Sequence, residues 1–144
     1  MQLDSLYQEI ILDHYKNPHG VGLHAPFDGE AFHVNTSCGD EVTVRVSLVD
    51  QVVTNMTHDG VGCSISRASA SVLHDLVFKE NLEKFSLALD NFVELMHSKG
   101  KTAPDENILG DAAAFVGVSQ YPARVKCALL PWMALKDAIK GARR

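Results

Sequence analysis

From Glu41 to Leu48 the chain alternates without a break: Glu41, Thr43, Arg45 and Ser47 are polar, while Val42, Val44, Val46 and Leu48 are apolar. That period of two belongs to a strand with one face buried and the other wet. A second β-rich run, Val52 to His58, follows Val49-Asp50-Gln51, so the two segments read as one antiparallel hairpin. With those three residues as the loop, Leu48 faces Val52, Val46 faces Thr54, Val44 faces Met56 and Val42 faces His58, which keeps the apolar set on one face. A one-residue slip would set Val44 against Thr57 and Val46 against Asn55. Carried past the strand ends, this register puts Asp40 opposite Gly60 and Cys38 opposite Gly62, at the roughly 4.5 to 5.5 Å of facing Cα atoms. Cys63 then falls beside Cys38 and Asp40, and the parity places Cys38 and Asp40 on the face that other elements must cover.

Those other elements read as helices. Residues 3 to 16 carry Leu3, Leu6, Tyr7, Ile10, Ile11 and His14 on one stripe, and Asn17-Pro18-His19-Gly20 ends it. Gly20 to Gly29 is a loop, and Glu30 to Val34 supplies a first strand, giving three antiparallel strands with the hairpin. Gly60-Val61-Gly62 turns the chain into a helix that opens at Cys63 or Ser64 and runs to about Phe78, burying Ile65, Ala68, Ser69, Val72, Leu73 and Leu76. A second helix spans Asn81 to His97, on Leu82, Phe85, Leu89, Phe92, Val93 and Met96. Thr102 to Gln120 has a different texture, with a short helical stretch from Leu109 to Phe115. The last helix, from Pro122 or Ala123 to Lys140, buries Val125, Ala128, Leu129, Trp132, Leu135 and Ile139. Its Pro131 cannot donate to the carbonyl of Cys127, which predicts a kink there. The expected class is α+β: a three-stranded antiparallel sheet with an N-terminal helix and several helices packed on it, as one domain over residues 1–144.

Composition narrows the function. At 46% hydrophobic and 22% charged over 144 residues the chain has an ordinary globular balance. Three cysteines is an odd count, and Met1 to Ile11 shows neither a basic start nor a long apolar run, so free thiols or metal thiolates in the cytoplasm are expected. No apolar run nears the roughly 20 residues that span a bilayer. A net charge of −5 argues against general nucleic-acid binding; the basic end formed by Lys136, Lys140, Arg143 and Arg144 suits a helix C-terminus.

Cys38, Asp40, Cys63 and Cys127 offer three thiolates and a carboxylate, the number a closed tetrahedral zinc site needs. Cys63 at a helix N-terminus is favoured as a thiolate by the macrodipole. On a divalent ion this set leaves two surplus negative charges, which the helix end, Arg124 and Lys126 would partly offset, with Arg124 an outer partner for a thiolate or Asp40. There is no C-x-x-C, however, and scattered cysteines are more often small buried apolar side chains. His14, His19 and His24 share no common face and are expected at the surface.

Four strings decide between these readings: L-Y-Q-E-I-I-L-D-H-Y-K-N-P at Leu6 to Pro18, C-G-D at Cys38 to Asp40, G-V-G-C-S-I-S at Gly60 to Ser66, and R-V-K-C-A-L-L-P-W at Arg124 to Trp132. In this order they resemble the SufU-type branch of the IscU/NifU-like iron-sulfur cluster assembly family over nearly the whole chain. The Thr102 to Gln120 stretch resembles that branch's insertion, and Lys126 stands where the scaffold branch has a histidine; Thr36-Ser37 departs from relatives that carry a proline before the first cysteine. The resemblance implies that Cys38, Asp40, Cys63 and Cys127 bind Zn2+. It further implies a sulfurtransferase that accepts persulfide sulfur from a SufS-type cysteine desulfurase and passes it towards downstream SUF assembly proteins. In the family a partner histidine is thought to displace one thiolate, and Cys38, on the turn before the hairpin, is the expected acceptor.

Three other readings share these residues. A scaffold would assemble a [2Fe-2S] cluster, or hold iron, on the same ligands. A thiol hydrolase would use Cys63 with His58 and Asp59, but these sequence neighbours point to opposite sheet faces. A purely structural zinc domain would serve protein docking.

Overall fold

The computed structural model describes residues 2–143, with side chains from residue 5 onward. Three antiparallel strands, β1 (Gly29–Asn35), β2 (Asp40–Val49) and β3 (Val52–Val61), lie in the order β1-β2-β3. Around them are α1 (Gln2–Lys16), α2 (Ser64–Val77), α3 (Leu82–Met96), the single turn α4 (Glu106–Leu109), a 3-10 segment (Gly110–Gln120) and α5 (Pro122–Ala142). The fold is α+β, a three-stranded antiparallel sheet with helices packed on it.

The hairpin departs from the expected register in an instructive way. Its loop has two residues, not three: Val49 pairs with Val52 across Asp50 and Gln51, which adopt φ of 50° and 69°. Positive φ at both central positions matches the strand twist in a tight hairpin, and here it is achieved without glycine. Continued regularly, that loop would set Val46 against Asn55 and turn the apolar face outward. A bulge prevents this. Leu48 pairs with Val53 but Ser47 with Asn55, so Thr54 is the extra residue, and beyond it Val46 faces Met56, Val44 faces His58 and Val42 faces Gly60. The pairs are displaced by two residues from expectation, an even number, so every side chain keeps its face.

The buried face of β2, made by Val42, Val44 and Val46, is covered by α5, which packs across β1 and β2. Trp132 of α5 stacks on Phe92 of α3 at 4.2 Å between ring centroids, and Phe115 meets Phe92 edge-on at 5.9 Å. The indole N–H donates to Ser69 Oγ at 3.0 Å, and Ser69 donates to the Ala128 carbonyl at 2.6 Å, so the polar end of the tryptophan is satisfied inside the core. Pro131 lies within α5, and the helix continues through it.

One expectation about the helices is corrected and another refined. Leu6 belongs to the apolar stripe of α1 by spacing yet is 51% exposed, whereas Tyr7, Ile10 and Ile11 on the same stripe are half-buried and His14 is buried where α1 meets α2 and the 3-10 segment. Leu3 falls outside the residues whose side chains are described. The short helical stretch expected near Leu109 to Phe115 is present but in 3-10 form, preceded by a single α-helical turn, Glu106–Leu109, capped by Asp105 accepting from the Asn107 N–H. A glycine at φ 54°, Gly110, ends it, and the Ala112 to Phe115 run is buried in 3-10 form.

One histidine also differs from expectation, while His19 is exposed as expected. His24 is exposed, but His14 is 4% exposed and forms an interlock. Its Nε2–H donates to Asp111 at 3.0 Å. Its Nδ1 is hydrogen-bonded to the Ser71 hydroxyl at 2.7 Å, and Ser71 Oγ accepts the His19 backbone N–H at 2.8 Å. His19 also pairs with Asp75, and its carbonyl accepts from His58 Nε2 at 2.7 Å. One segment after α1 thereby ties α1, α2, β3 and the 3-10 segment together.

His58 is fully buried, and its Nδ1 has no hydrogen-bond partner. Burial lowers its pKa from 6.5 to about 4, against a smaller opposing effect of the His19 carbonyl. Because the unfolded chain takes up this proton first, the neutral ring's contribution is present above pH 6.5 and is lost as pH falls towards 4, a loss of about 3 kcal/mol. Urea unfolding at a series of pH values should show this acid limb in the native protein. His58→Gln, which keeps an N–H donor without a titrating ring, should flatten it.

Candidate metal centre

Each of the four donors reaches the site from a different local structure. Cys38 lies in the turn between β1 and β2, where the Asn35 carbonyl accepts the backbone N–H groups of Cys38 at 3.3 Å and Gly39 at 2.8 Å. Gly39 takes φ 70°, a conformation in which a side chain would be strained. Asp40 opens β2 opposite Asn35 and is 1% exposed. Cys63 is the N-cap of α2, with extended backbone. Cys127 is fully buried on the second turn of α5.

The structure brings these groups together. Cys38 Sγ is 3.2 Å from Cys127 Sγ and 3.5 Å from Asp40 Oδ2, and the donor atoms of Cys38, Asp40 and Cys127 all lie within 4.8 Å of one another. Cys63 joins through Asp40: its sulfur is 3.8 Å from Oδ2, and its backbone N–H donates to Oδ1 at 2.9 Å. A tetrahedral zinc ion with bonds of about 2.3 Å to sulfur holds its sulfurs about 3.8 Å apart. The one sulfur–sulfur spacing, 3.2 Å between Cys38 and Cys127, is shorter than that; Cys38, Asp40 and Cys127 form a group of donors small enough to share an ion, and Cys63 lies outside that group, within 3.8 Å of Asp40 Oδ2.

The surroundings act on charge from several sides. Burial alone would raise the Asp40 carboxyl, but hydrogen bonds from Cys127, the Cys63 N–H, Cys38 and the Cys63 thiol outweigh it and hold the group below its ordinary value. Burial pushes the Cys127 thiol far up, reinforced by Asp40 and the other two cysteines. Arg124, exposed on the first turn of α5, is held more firmly cationic by the Cys63 charge and by a hydrogen bond to Cys127. Lys126 is exposed. Asn35, which the sequence did not single out, reaches both sulfurs: its Nδ2 lies 2.9 Å from Cys38 Sγ and 3.8 Å from Cys127 Sγ.

Gly62 is a second residue that spacing did not reveal. A Cβ built there would stand 2.5 Å from Ser66 Oγ and 2.7 Å from Asp40 Oδ1. The close approach of this backbone is what lets the Cys63 N–H reach the carboxylate.

Beside the centre a cavity of about 760 Å³ opens between α1, α2, the 3-10 segment and α5. Tyr7, Ile11, Leu12, Cys63, Tyr121 and Arg124 are among its walls. It reaches Cys63, whereas Cys38 is exposed on the turn. His14, His19 and Asp75 also bring donor atoms within 4.8 Å of one another, but both ring nitrogens of His14 are engaged by Ser71 and Asp111, and the group serves as the interlock described above. His58 is buried and hydrogen-bonded to a carbonyl while Asp59 is exposed, so no base and orienter pair faces Cys63.

Residues 6–128 match the family described as NifU-like N terminal domain, and the chain belongs to that family of iron-sulfur cluster assembly proteins. The zinc-dependent sulfurtransferase SufU of Bacillus subtilis is 38% identical over 138 residues, covering 95% of this chain and 91% of its own. An iron-sulfur cluster assembly scaffold protein IscU from Streptococcus pyogenes is 36% identical over 141 residues, covering 96% of this chain and 86% of its own. Among solved structures, a candidate SUF-system scaffold protein from Fervidobacterium islandicum matches with a TM-score of 0.84 at 33% identity, over 94% of this chain and 97% of its own. Among the described residues no helix is long and apolar enough to cross a membrane.

Gly62→Ala tests the geometry without touching a donor. The added methyl group must displace Asp40 or Ser66, so zinc affinity in a chelator competition should fall by about ten-fold or more while the far-UV circular dichroism stays native.

Proposed function

We propose that Cys38, Asp40, Cys63 and Cys127 hold zinc and that the protein is a cytoplasmic sulfurtransferase, accepting persulfide sulfur from a SufS-type cysteine desulfurase for downstream SUF proteins. The observation that carries this reading is the unequal burial of the donors. Asp40 is 1% exposed and Cys127 fully buried in a helix, whereas Cys38 is exposed on a short turn whose only strained position is a glycine. Zinc, when bound, keeps its cysteines as thiolates and damps their nucleophilicity. The chain supplies the rest.

Cys38 swings outward on the 36–39 turn while Asp40, Cys63 and Cys127 stay together. Its thiolate attacks the terminal sulfur of the desulfurase persulfide; the donor's S–S bond breaks, the donor cysteine leaves as a thiolate, and a new S–S bond forms on Cys38. One anion replaces another, so the step needs neither oxidant nor external proton. The cavity against Cys63 and the exposed rim of Cys38 offer a surface for the desulfurase segment that presents the persulfide, with Arg124 beside it as a cation for the incoming anionic sulfur.

A scaffold reading, in which the same donors assemble a [2Fe-2S] cluster, draws support from the similarity to IscU. Elemental analysis of protein purified without added iron separates the two: colourless protein with one zinc per chain supports the transferase, and brown, oxygen-sensitive protein supports the scaffold. Cys38→Ala should abolish stimulation of the desulfurase while retaining partial zinc. A fully active Cys38→Ala protein would remove Cys38 from the acceptor role. Arg124→Ala should weaken zinc binding by roughly ten-fold in the same chelator competition, and unchanged affinity and stimulation would leave Arg124 without a part.

A further inference from the structure

Asn35 closes β1 three residues ahead of Cys38 and is 8% exposed. Its carboxamide is held at both ends. Oδ1 accepts the Ser37 backbone N–H at 3.2 Å, as asparagine does in a turn, and this bond settles which end of the amide is oxygen. The NH2 end therefore faces sulfur, and it has two N–H bonds to give, one towards Cys38 at 2.9 Å and one towards Cys127 at 3.8 Å. Those sulfurs are 3.2 Å apart, close enough for a thiol of one to donate to the other, and once both are thiolates they repel each other. Arg124 acts on Cys63 and Cys127. Among the described residues, the hydrogen bonds to Cys38 Sγ include one N–H donor, that of Asn35.

Resting on the reading of the centre as a zinc-bound sulfur acceptor, we propose that Asn35 is a positioning residue whose amide aims the Cys38 sulfur at the centre and stays bonded to it when Cys38 swings out. The contact to Cys38 spans three residues inside one turn, whereas the contact to Cys127 crosses from β1 to α5. As the amide follows Cys38 outward, it gives up the longer contact, to Cys127, and keeps the shorter one. The nucleophile thus reaches the persulfide with one hydrogen bond in place and a limited set of directions.

Asn35→Asp and Asn35→Ala separate this role from turn formation. Aspartate keeps an oxygen for the Ser37 N–H but has no N–H for sulfur; alanine has neither. A residue that only shaped the turn would tolerate aspartate and suffer from alanine. The proposal expects both variants to be impaired, aspartate more, because a carboxylate then faces two thiolates. Cobalt(II)-loaded protein supplies the readout. Loss of N–H···S bonds should move the thiolate-to-cobalt charge-transfer bands to lower energy, and cobalt affinity should fall roughly 10- to 100-fold, with the larger loss for aspartate.

An Asn35→Asp protein with native circular dichroism that fails to load cobalt counts as that loss. If Asn35→Ala does not fold, the aspartate variant decides alone. Native band positions and affinity in Asn35→Asp overturn the proposal. These spectra need no sulfur donor, so a native protein that accepts no persulfide refutes the transferase reading separately, and the place of Asn35 at the sulfurs is still judged by the bands.

Discussion

The Asp40 carboxylate, accepting the Cys63 backbone N–H at 2.9 Å, joins the start of β2 to the start of α2, and the centre depends on that junction. It places an anion at the positive end of a helix that is itself buried along Ser66, Ala68 to Leu73, Leu76 and Val77. The carboxylate satisfies one of the N–H groups that the first turn of α2 leaves open, which matters because the Cys63 side chain makes no cap hydrogen bond. With Oδ1 committed to the helix, Oδ2 is the oxygen that faces Cys38 and Cys63. One side chain thus anchors a helix and presents a donor atom. Its burial is tolerable because several hydrogen bonds converge on it.

That junction is reachable only if the hairpin delivers Gly62 beside Asp40, and here the sequence was informative in one respect and silent in another. The alternation from Glu41 to Leu48 specifies a buried face, and side-chain parity survives any even error of register. The expected pairs were off by two, so Asp40 and the cysteines still converged. What pattern reasoning could not see was how the two-residue shift arises: a positive-φ turn on Asp50-Gln51 lacks the glycine that signals such turns, and the Thr54 bulge that restores parity has no compositional mark. Each device alone would have turned the apolar face outward. Only together do they keep it inside.

The α1 helix shows the complementary gap. Period 3.6 reports which stripe is apolar but not how much of it a neighbour covers, so Leu6 read as core although half of it is exposed. His14 failed in the opposite direction: a polar residue on an apolar stripe has no visible partner until the fold brings Ser71 and Asp111 to it, from 57 and 97 residues away. Asn35 was missed for the same reason on a smaller scale. Its bond to the Ser37 N–H belongs to the local habits of asparagine, whereas its reach to Cys127 depends on where α5 lies. The cysteines were legible because their chemistry restricts what they can do. The residues that orient them were not, because asparagine and glycine have many ordinary uses.

The unequal footing of the donors also bears on how a closed set can open. Three thiolates and a carboxylate around a dication leave two negative charges over, which Arg124, the Asn35 amide and the N-terminus of α2 meet only in part. Repulsion within such a set favours release of one anion, and the anion that leaves is the one whose departure disturbs least. Moving Cys127 would expose the interior turn of α5 next to Pro131, and moving Asp40 would uncap α2. Moving Cys63 would disturb the first turn of the helix at the centre of the core. Moving Cys38 rearranges a turn that already lies in solvent, pivots on a glycine and carries its own hydrogen-bond donor. On the proposed reading, excess charge supplies the tendency to open, and the unequal burial of the donors favours Cys38 as the one released.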